Sequence, residues 1–273
     1  MSSRRLALLL FLAYLVKGSG LPIAADIAVI IVILAGLIRP DFQHQSGYWG
    51  LILLHMVVEL AMGWFEVPNH HFVLTYLLIA VTLCAACEDA EFASLMRTNA
   101  RWLLVGIMGF ATLHKALSPT FMSGEYVGCM LARGSFLEVV APLFPDFASI
   151  TDANVEHIRD LLATSPNIDP SASVTLTAPV PYFRAVTMAF VWLIVLGELW
   201  LAVVVAAFGS RPIATWSLWC FVVGLSLIRM EFMFVATITF LAYCLCEDRQ
   251  TRLRPLLLAS SIGYLALHLI VDY

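Results

Sequence analysis

The chain of 273 residues is 61% hydrophobic and only 12% charged, where an ordinary soluble domain carries roughly 25% charged residues. That composition excludes the usual water-facing exterior. A net charge of -4, with basic residues scattered singly or in pairs, excludes a basic stripe for nucleic acid. The expected fold is all-α: a single polytopic transmembrane helical bundle over residues 1–273, with about eight or nine membrane helices.

In chain order, the charged start Met1-Ser2-Ser3-Arg4-Arg5 and the apolar residues 6–16 have the form of a signal peptide. Lys17 to Pro22 offers no convincing small-residue cleavage site and further apolar segments follow at once, so a short first helix is expected instead. A crossing helix needs about 20 largely apolar residues, and candidates lie at 21–39, 47–65, 71–87, 101–117, 184–208, 212–230, 231–247 and 255–271. Arg229 and Glu231 divide the last long apolar stretch but one into two spans. Between 118 and 144, Ser118-Pro119 breaks the preceding helix and Phe136 to Phe144 is too short to cross, so a re-entrant or interfacial piece is expected.

Residues 145–182 form the expected extracytoplasmic loop. Asp152 is placed to cap a short amphipathic helix with Val155, Ile158 and Leu162 on one face and Glu156, Arg159 and Asp160 on the other. Pro166, Pro170, Pro179 and Pro181 then favour an extended cover over the bundle, with a plain connector as the alternative. A weak internal echo links Phe72 to Asp89 with Phe232 to Asp248, each an apolar run ending in Cys-Glu-Asp. Either the halves are duplicated or two helices leave the membrane by the same rules.

A cytoplasmic N-terminus puts Arg4, Arg5, Arg39, Arg97, Arg101, Arg211, Arg249, Arg252 and Arg254, nine of the 15 basic residues, on the inner side. Cys84, Cys87, Cys244 and Cys246 then fall at cytoplasmic helix ends, where thiols stay reduced. Their CxxC and CxC spacings invite zinc or redox chemistry, but small buried residues are the simpler account, and no metal is assigned.

Ionisable groups inside a span are costly and mark functional candidates. The set is Asp26, His55, Glu59, His71, His114, Lys115, Glu125, Glu138, Glu198, Arg229, Glu231 and His268. His55 and Glu59 are four residues apart and share a helix face. For each group alone, an interhelical hydrogen bond or ion pair is the bland alternative. Lys115 lies about 20 Å along its span, in the outer third of the core. His71 opens its span at the outer surface, and Arg229 and Glu231 straddle an outer turn. A desolvated Lys115 is a candidate general base; the alternative is that it snorkels outward or pairs with Glu125 or Glu231.

Asn69-His70-His71-Phe72-Val73-Leu74-Thr75-Tyr76-Leu77-Leu78 and Gly109-Phe110-Ala111-Thr112-Leu113-His114-Lys115-Ala116-Leu117 together resemble the membrane domain of vitamin K-dependent gamma-carboxylase. That domain is shared with a bacterial group, the horizontally transferred transmembrane (HTTM) family. Ser118-Pro119 and Gly124 match its helix break and glycine, Glu198 in Gly197-Glu198-Leu199-Trp200 matches its acidic residue, and Arg229 to Cys246 is placed like its later span. The resemblance implies Lys115 as the base that deprotonates a hydroquinone, His71 as its assistant, a quinone as cofactor, and a bacterial inner (plasma) membrane location. The chain departs from the family in three respects. No extramembrane domain follows within its length, Thr120-Phe121-Met122 stands where a tryptophan is usual, and Leu225 to Leu227 occupies the place of a later histidine. Protein glutamate carboxylation is therefore not expected.

Three functions remain open. The first is a membrane protein with an outer-leaflet site for a lipid quinol or similar small molecule, worked by Lys115 and His71 and supported by His114, Glu198, Arg229, Glu231, His55 and Glu59. The second is a non-catalytic subunit that packs in a larger membrane complex through the 145–182 loop and its helix faces. The third is a proton-coupled small-solute transporter using Asp26, Glu59 and Glu198.

Overall fold

The computed structural model describes residues 2–17, 21–63, 69–138, 141–164, 174–228, 232–246 and 252–271, and every regular element among them is helical. The expected first helix forms as α1 (Ser3–Lys17), and its Ala7, Leu8, Phe11 and Leu15 enter the main core. Residues spaced by three and four fall on one face of a helix, which is why this stripe is buried.

After Pro22, α2 (Ile23–Ile38) runs into a 3-10 turn, Pro40–His44, and then α3 (Ser46–Gly63). Side chains lock this corner. The Gln43 amide donates to the Gly36 carbonyl at 2.8 Å, the Trp49 indole to the Gln43 carbonyl at 3.0 Å, and the Tyr48 hydroxyl to the Val32 carbonyl at 3.0 Å. Gly36 permits the close approach, since a Cβ there would overlap the Tyr48 ring and hydroxyl.

The fourth and fifth helices, α4 (Asn69–Cys84) and α5 (Asp89–Leu117), correct the sequence boundaries. The expected span at 101–117 is only the last part of a helix 29 residues long, about 43 Å at 1.5 Å per residue. Residues 88–100 fall between two expected spans, yet Ala, Glu, Leu, Met and Arg there are strong helix formers. Phe92, Met96, Ala100, Leu104 and Met108, spaced by four, bury one stripe along the whole element.

The region expected to be re-entrant contains α6 (Pro119–Met122) and α7 (Glu125–Ala132), with Ser118 Oγ accepting from the Phe121 amide and Gly124 turning the chain at φ 85°. A small second core joins Phe121, Val127, Leu131 and Phe136 to Val191 and Val195. The amphipathic helix in the loop is longer than expected: α8 runs from Pro145 to Thr164, so Asp152 lies inside it and is not its cap. Val155 and Ile158 are half-buried while Leu162 is exposed with Glu156, Arg159 and Asp160. Asn154 ties this helix down, donating to the carbonyls of Ala132 and Thr177, both at 2.8 Å, and accepting from the Thr177 amide at 2.9 Å. Pro166 and Pro170 lie outside the described residues.

The chain closes with α9 (Phe183–Phe208), α10 (Pro212–Ile228), α11 (Phe232–Leu245) and α12 (Leu253–Val271). In α11, 12 of 14 residues are buried, as an all-round apolar helix requires. It is the central element, packed against α1, α4, α5, α10 and α12. Among the described residues two helices, α3 and α9, are long and apolar enough to cross a membrane; Ile23–Ile38, His71–Cys84, Pro212–Ile228 and Phe232–Leu245 are apolar but shorter.

Candidate functional site

Two ends of the bundle differ in chemistry. At one end, arginines bind the carbonyls where helices stop, the groups that lack intrahelical partners and carry the negative pole of the helix dipole. Arg4 donates to the carbonyls of Ala85 at 3.2 Å and Cys87 at 2.8 Å, pairs with Asp89 and stacks 3.9 Å over the Phe92 ring. Arg254 does the same for α11, donating to the Cys246 carbonyl at 2.7 Å with its guanidinium 5.1 Å over Tyr243. Arg101 donates to the carbonyls of Val205 and Ala206 at the end of α9. The echo between the two Cys-Glu-Asp segments thus has a shared geometry, an arginine on each cysteine carbonyl. Cys244 and Cys246 are buried, Cys84 and Cys87 half-buried, and all four are free thiols.

The opposite end holds the buried acids and histidines. The last turn of α1 brings Tyr14, the start of α2 Asp26, the second half of α3 His55 and Glu59, and the start of α4 His71. The Tyr14 hydroxyl donates to Glu59 Oε2 and lies 3.4 Å from His71 Nδ1, which is itself 3.7 Å from Glu59 Oε1. The Tyr14 and His71 rings meet edge to face, with centroids 5.0 Å apart. Beside them, His55 Nε2 stands 3.1 Å from Asp26 Oδ1, within ion-pair distance but off the line of a hydrogen bond. All five side chains are buried, with Tyr14 only 2% and Glu59 only 3% exposed. Removing carboxylates from water is costly unless hydrogen bonds or charges compensate, and Tyr14 and His71 provide that for Glu59. The same-face spacing of His55 and Glu59 is realised, each meeting a different helix.

Lys115 is placed elsewhere. Its Nζ lies 2.7 and 2.9 Å from the two carboxylate oxygens of Glu198, joining the end of α5 to the middle of α9, and 5.9 Å from the Phe121 ring centroid. Its partner among the described residues is therefore Glu198, not Glu125. Glu125 is exposed, and so is the neighbouring His114, on the outer face of α5. Hence Lys115 and Glu198 form one pair, while His71, Glu59, Tyr14, Asp26 and His55 form another group. Arg229 and Glu231 lie outside the described residues, as do the side chains of Asn69 and His70.

Among the described residues, two of the best-formed cavities, shallow and each of about 430 Å³, are lined by neither Lys115 nor His71. One lies at the α2–α3 corner beside Tyr48 and Leu51, the other between α8 and Pro179-Val180. No group of three His, Cys, Asp or Glu side chains placed to hold a metal ion occurs among the described residues.

Sequence reasoning missed Tyr14. Its only signal was position, one turn after Phe11 on the apolar stripe of α1, where a hydroxyl needs a partner once buried. No family model, curated protein or solved structure matches the chain.

Proposed function

We propose that this chain is a polytopic protein of a bacterial inner membrane, with its N-terminus cytoplasmic, and that the Tyr14–Glu59–His71 group is an acid–base site in its outer half for a lipid-soluble quinol. Membrane residence is supported by the apolar residues left on the outside. Ile27, Ile31 and Leu34 on α2, Leu51 and Leu54 on α3, and Leu193 and Leu196 on α9 are all exposed, far more contiguous apolar surface than water tolerates. The arginine end then faces the cytoplasm and the histidine end faces outward, in keeping with the positive-inside rule.

The observation that carries the site is the Glu59 carboxylate shared between Tyr14 and His71. The carboxylate beside Nδ1 helps to orient the imidazole, and the His71 ring is the group proposed to exchange a proton with substrate. Tyr14 and Glu59 behind it extend the proton path. The quinol class rests on the resemblance to the HTTM family. For Lys115 to serve as base, its proton must first pass to Glu198, so His71 is the working base. Purification in mild detergent, followed by extraction of bound quinones from wild type, His71→Ala and Lys115→Ala, tests the proposal. A quinone in wild type that is lost in His71→Ala supports it, and its absence from wild type contradicts it.

A second reading, a non-catalytic subunit of a larger membrane complex, is favoured by one observation: Lys115 is fully engaged by Glu198. Stoichiometric partner proteins, with no quinone in any sample, support that reading.

A further inference from the structure

The acid–base site leaves Asp26 and His55 unused, although both are buried beside it. His55 Nε2 stands 3.1 Å from Asp26 Oδ1, with the two side chains 5% and 11% exposed, and among the described residues that nitrogen has no hydrogen-bond partner. His55 lies one turn before Glu59 on the same face of α3, about 6 Å along the axis. That face thus carries two carboxylate–imidazole pairs in succession, Asp26 with His55 and then Glu59 with His71. The other titratable groups described on the helices packed here are few. Tyr14 donates to Glu59, Lys17 is the last residue of α1, and Tyr76 turns away to Asn99 of α5. Arg39, Asp41, His44 and Tyr48 sit at the opposite end of α2 and α3.

A buried carboxylate beside an imidazole can hold one proton between them, and pairs this close titrate together rather than singly. Adding a proton to one pair, away from water, disfavours keeping a proton on the next. Asp26 also has a route out, for it lies in the first turn of α2, where Pro22, Ile23 and Ala24 are exposed. We infer that Asp26–His55 is the proton-release pair of the site, giving up its proton to water at the outer surface when His71 takes one from a hydroquinone. In that step the hydroquinone O–H bond breaks, an N–H bond forms on the His71 ring, and the hydroquinone monoanion stays bound. The proton shared by Asp26 and His55 leaves, so the buried side chains keep their total charge and no electron moves. Asp26 and His55 are positioning residues, acting through Glu59 and His71 and not on the substrate. The inference rests on the quinol reading of His71 and on its outward orientation.

The test uses the full chain in neutral-detergent micelles, titrated with a short-chain soluble hydroquinone in weak buffer, with released protons followed by an indicator dye. Wild type should release about one proton per hydroquinone bound near neutral pH. Asp26→Asn and His55→Gln should still bind but release about half as many protons or fewer, and Asp26→Glu should restore most of the release. His71→Gln should lose binding itself. Binding by wild type without proton release, or a wild-type proton count in both Asp26→Asn and His55→Gln, overturns the inference and leaves the quinol reading standing. Absence of binding by wild type contradicts both. The coupling between the pairs is also read without ligand, from the ring nitrogen resonances of isotope-labelled histidine. Glu59→Gln should move the pH at which the His55 ring titrates by about one unit; an unmoved titration overturns the inference. Should Asp26→Asn fail to fold, His55→Gln and this second measurement carry the test.

Discussion

The Lys115 ammonium meets both carboxylate oxygens of Glu198, at 2.7 and 2.9 Å, across the α5–α9 interface. Glu198 is 8% exposed, so truncating the lysine strands a buried carboxylate. Lys115→Ala is expected to cost about 3 kcal/mol of stability. The double variant Lys115→Met, Glu198→Leu should recover most of that, because the two sites are coupled and not additive. Thermal unfolding of wild type, the single variant and the double variant in one detergent checks this; equal losses in the two variants would contradict it.

Removing the Tyr14 hydroxyl leaves its ring in place against His71 and deprives Glu59 of a donor. Tyr14→Phe is expected to lower stability by about 1–3 kcal/mol, the cost of an unsatisfied buried acceptor, and to weaken quinol binding without unfolding the bundle. Circular dichroism alongside a binding titration separates the two effects.

Gly36 and Gly109 make a matched pair. A methyl group at Gly36 overlaps Tyr48, whereas nothing lies within 4 Å of a Cβ built at Gly109. Gly36→Ala should destabilise by about 1–3 kcal/mol through overpacking, and Gly109→Ala should be neutral or stabilise by about 0.5–1 kcal/mol as a better helix former. The comparison is read from Tm.

Much of the fold was legible because apolar run length reports directly on helices: α9 and α10 begin within a residue of their expected starts. The first third of α5 was not, since apolar run length marks only the part of a helix long enough and apolar enough to cross a membrane. The start of α8 differs from the expected cap at Asp152 because Pro145 is tolerated at a first helical position. At the site, His55 and Glu59 were legible from their spacing. Their partners Asp26 and Tyr14, and the choice of Glu198 by Lys115, depend on how helices distant in sequence pack, which no periodicity encodes.

Asn154 uses its amide three times, twice as donor and once as acceptor, to hold α8 and the segment at Thr177 onto α7. Asn154→Ala should release this strap, raise proteolysis around Thr177, and cost about 1–3 kcal/mol. Limited proteolysis of wild type and variant provides the reading.

Topology can be checked by thiol labelling. In a background lacking Cys129 and Cys220, which are exposed, Arg159→Cys on α8 should react with a membrane-impermeant maleimide in intact cells. Glu91→Cys at the arginine end should react only after lysis. The reverse pattern inverts the orientation and moves the His71 group to the cytoplasmic side.

The central claim is that His71, backed by Glu59 and Tyr14, exchanges protons with a quinol. Its most direct test is titration of the purified protein with a short-chain soluble hydroquinone, comparing wild type, His71→Gln and Glu59→Gln. Wild type should bind, and both variants should bind about tenfold or more weakly, the loss of a hydrogen bond to a charged group. Absence of binding by wild type, or equal affinity in His71→Gln, contradicts the account.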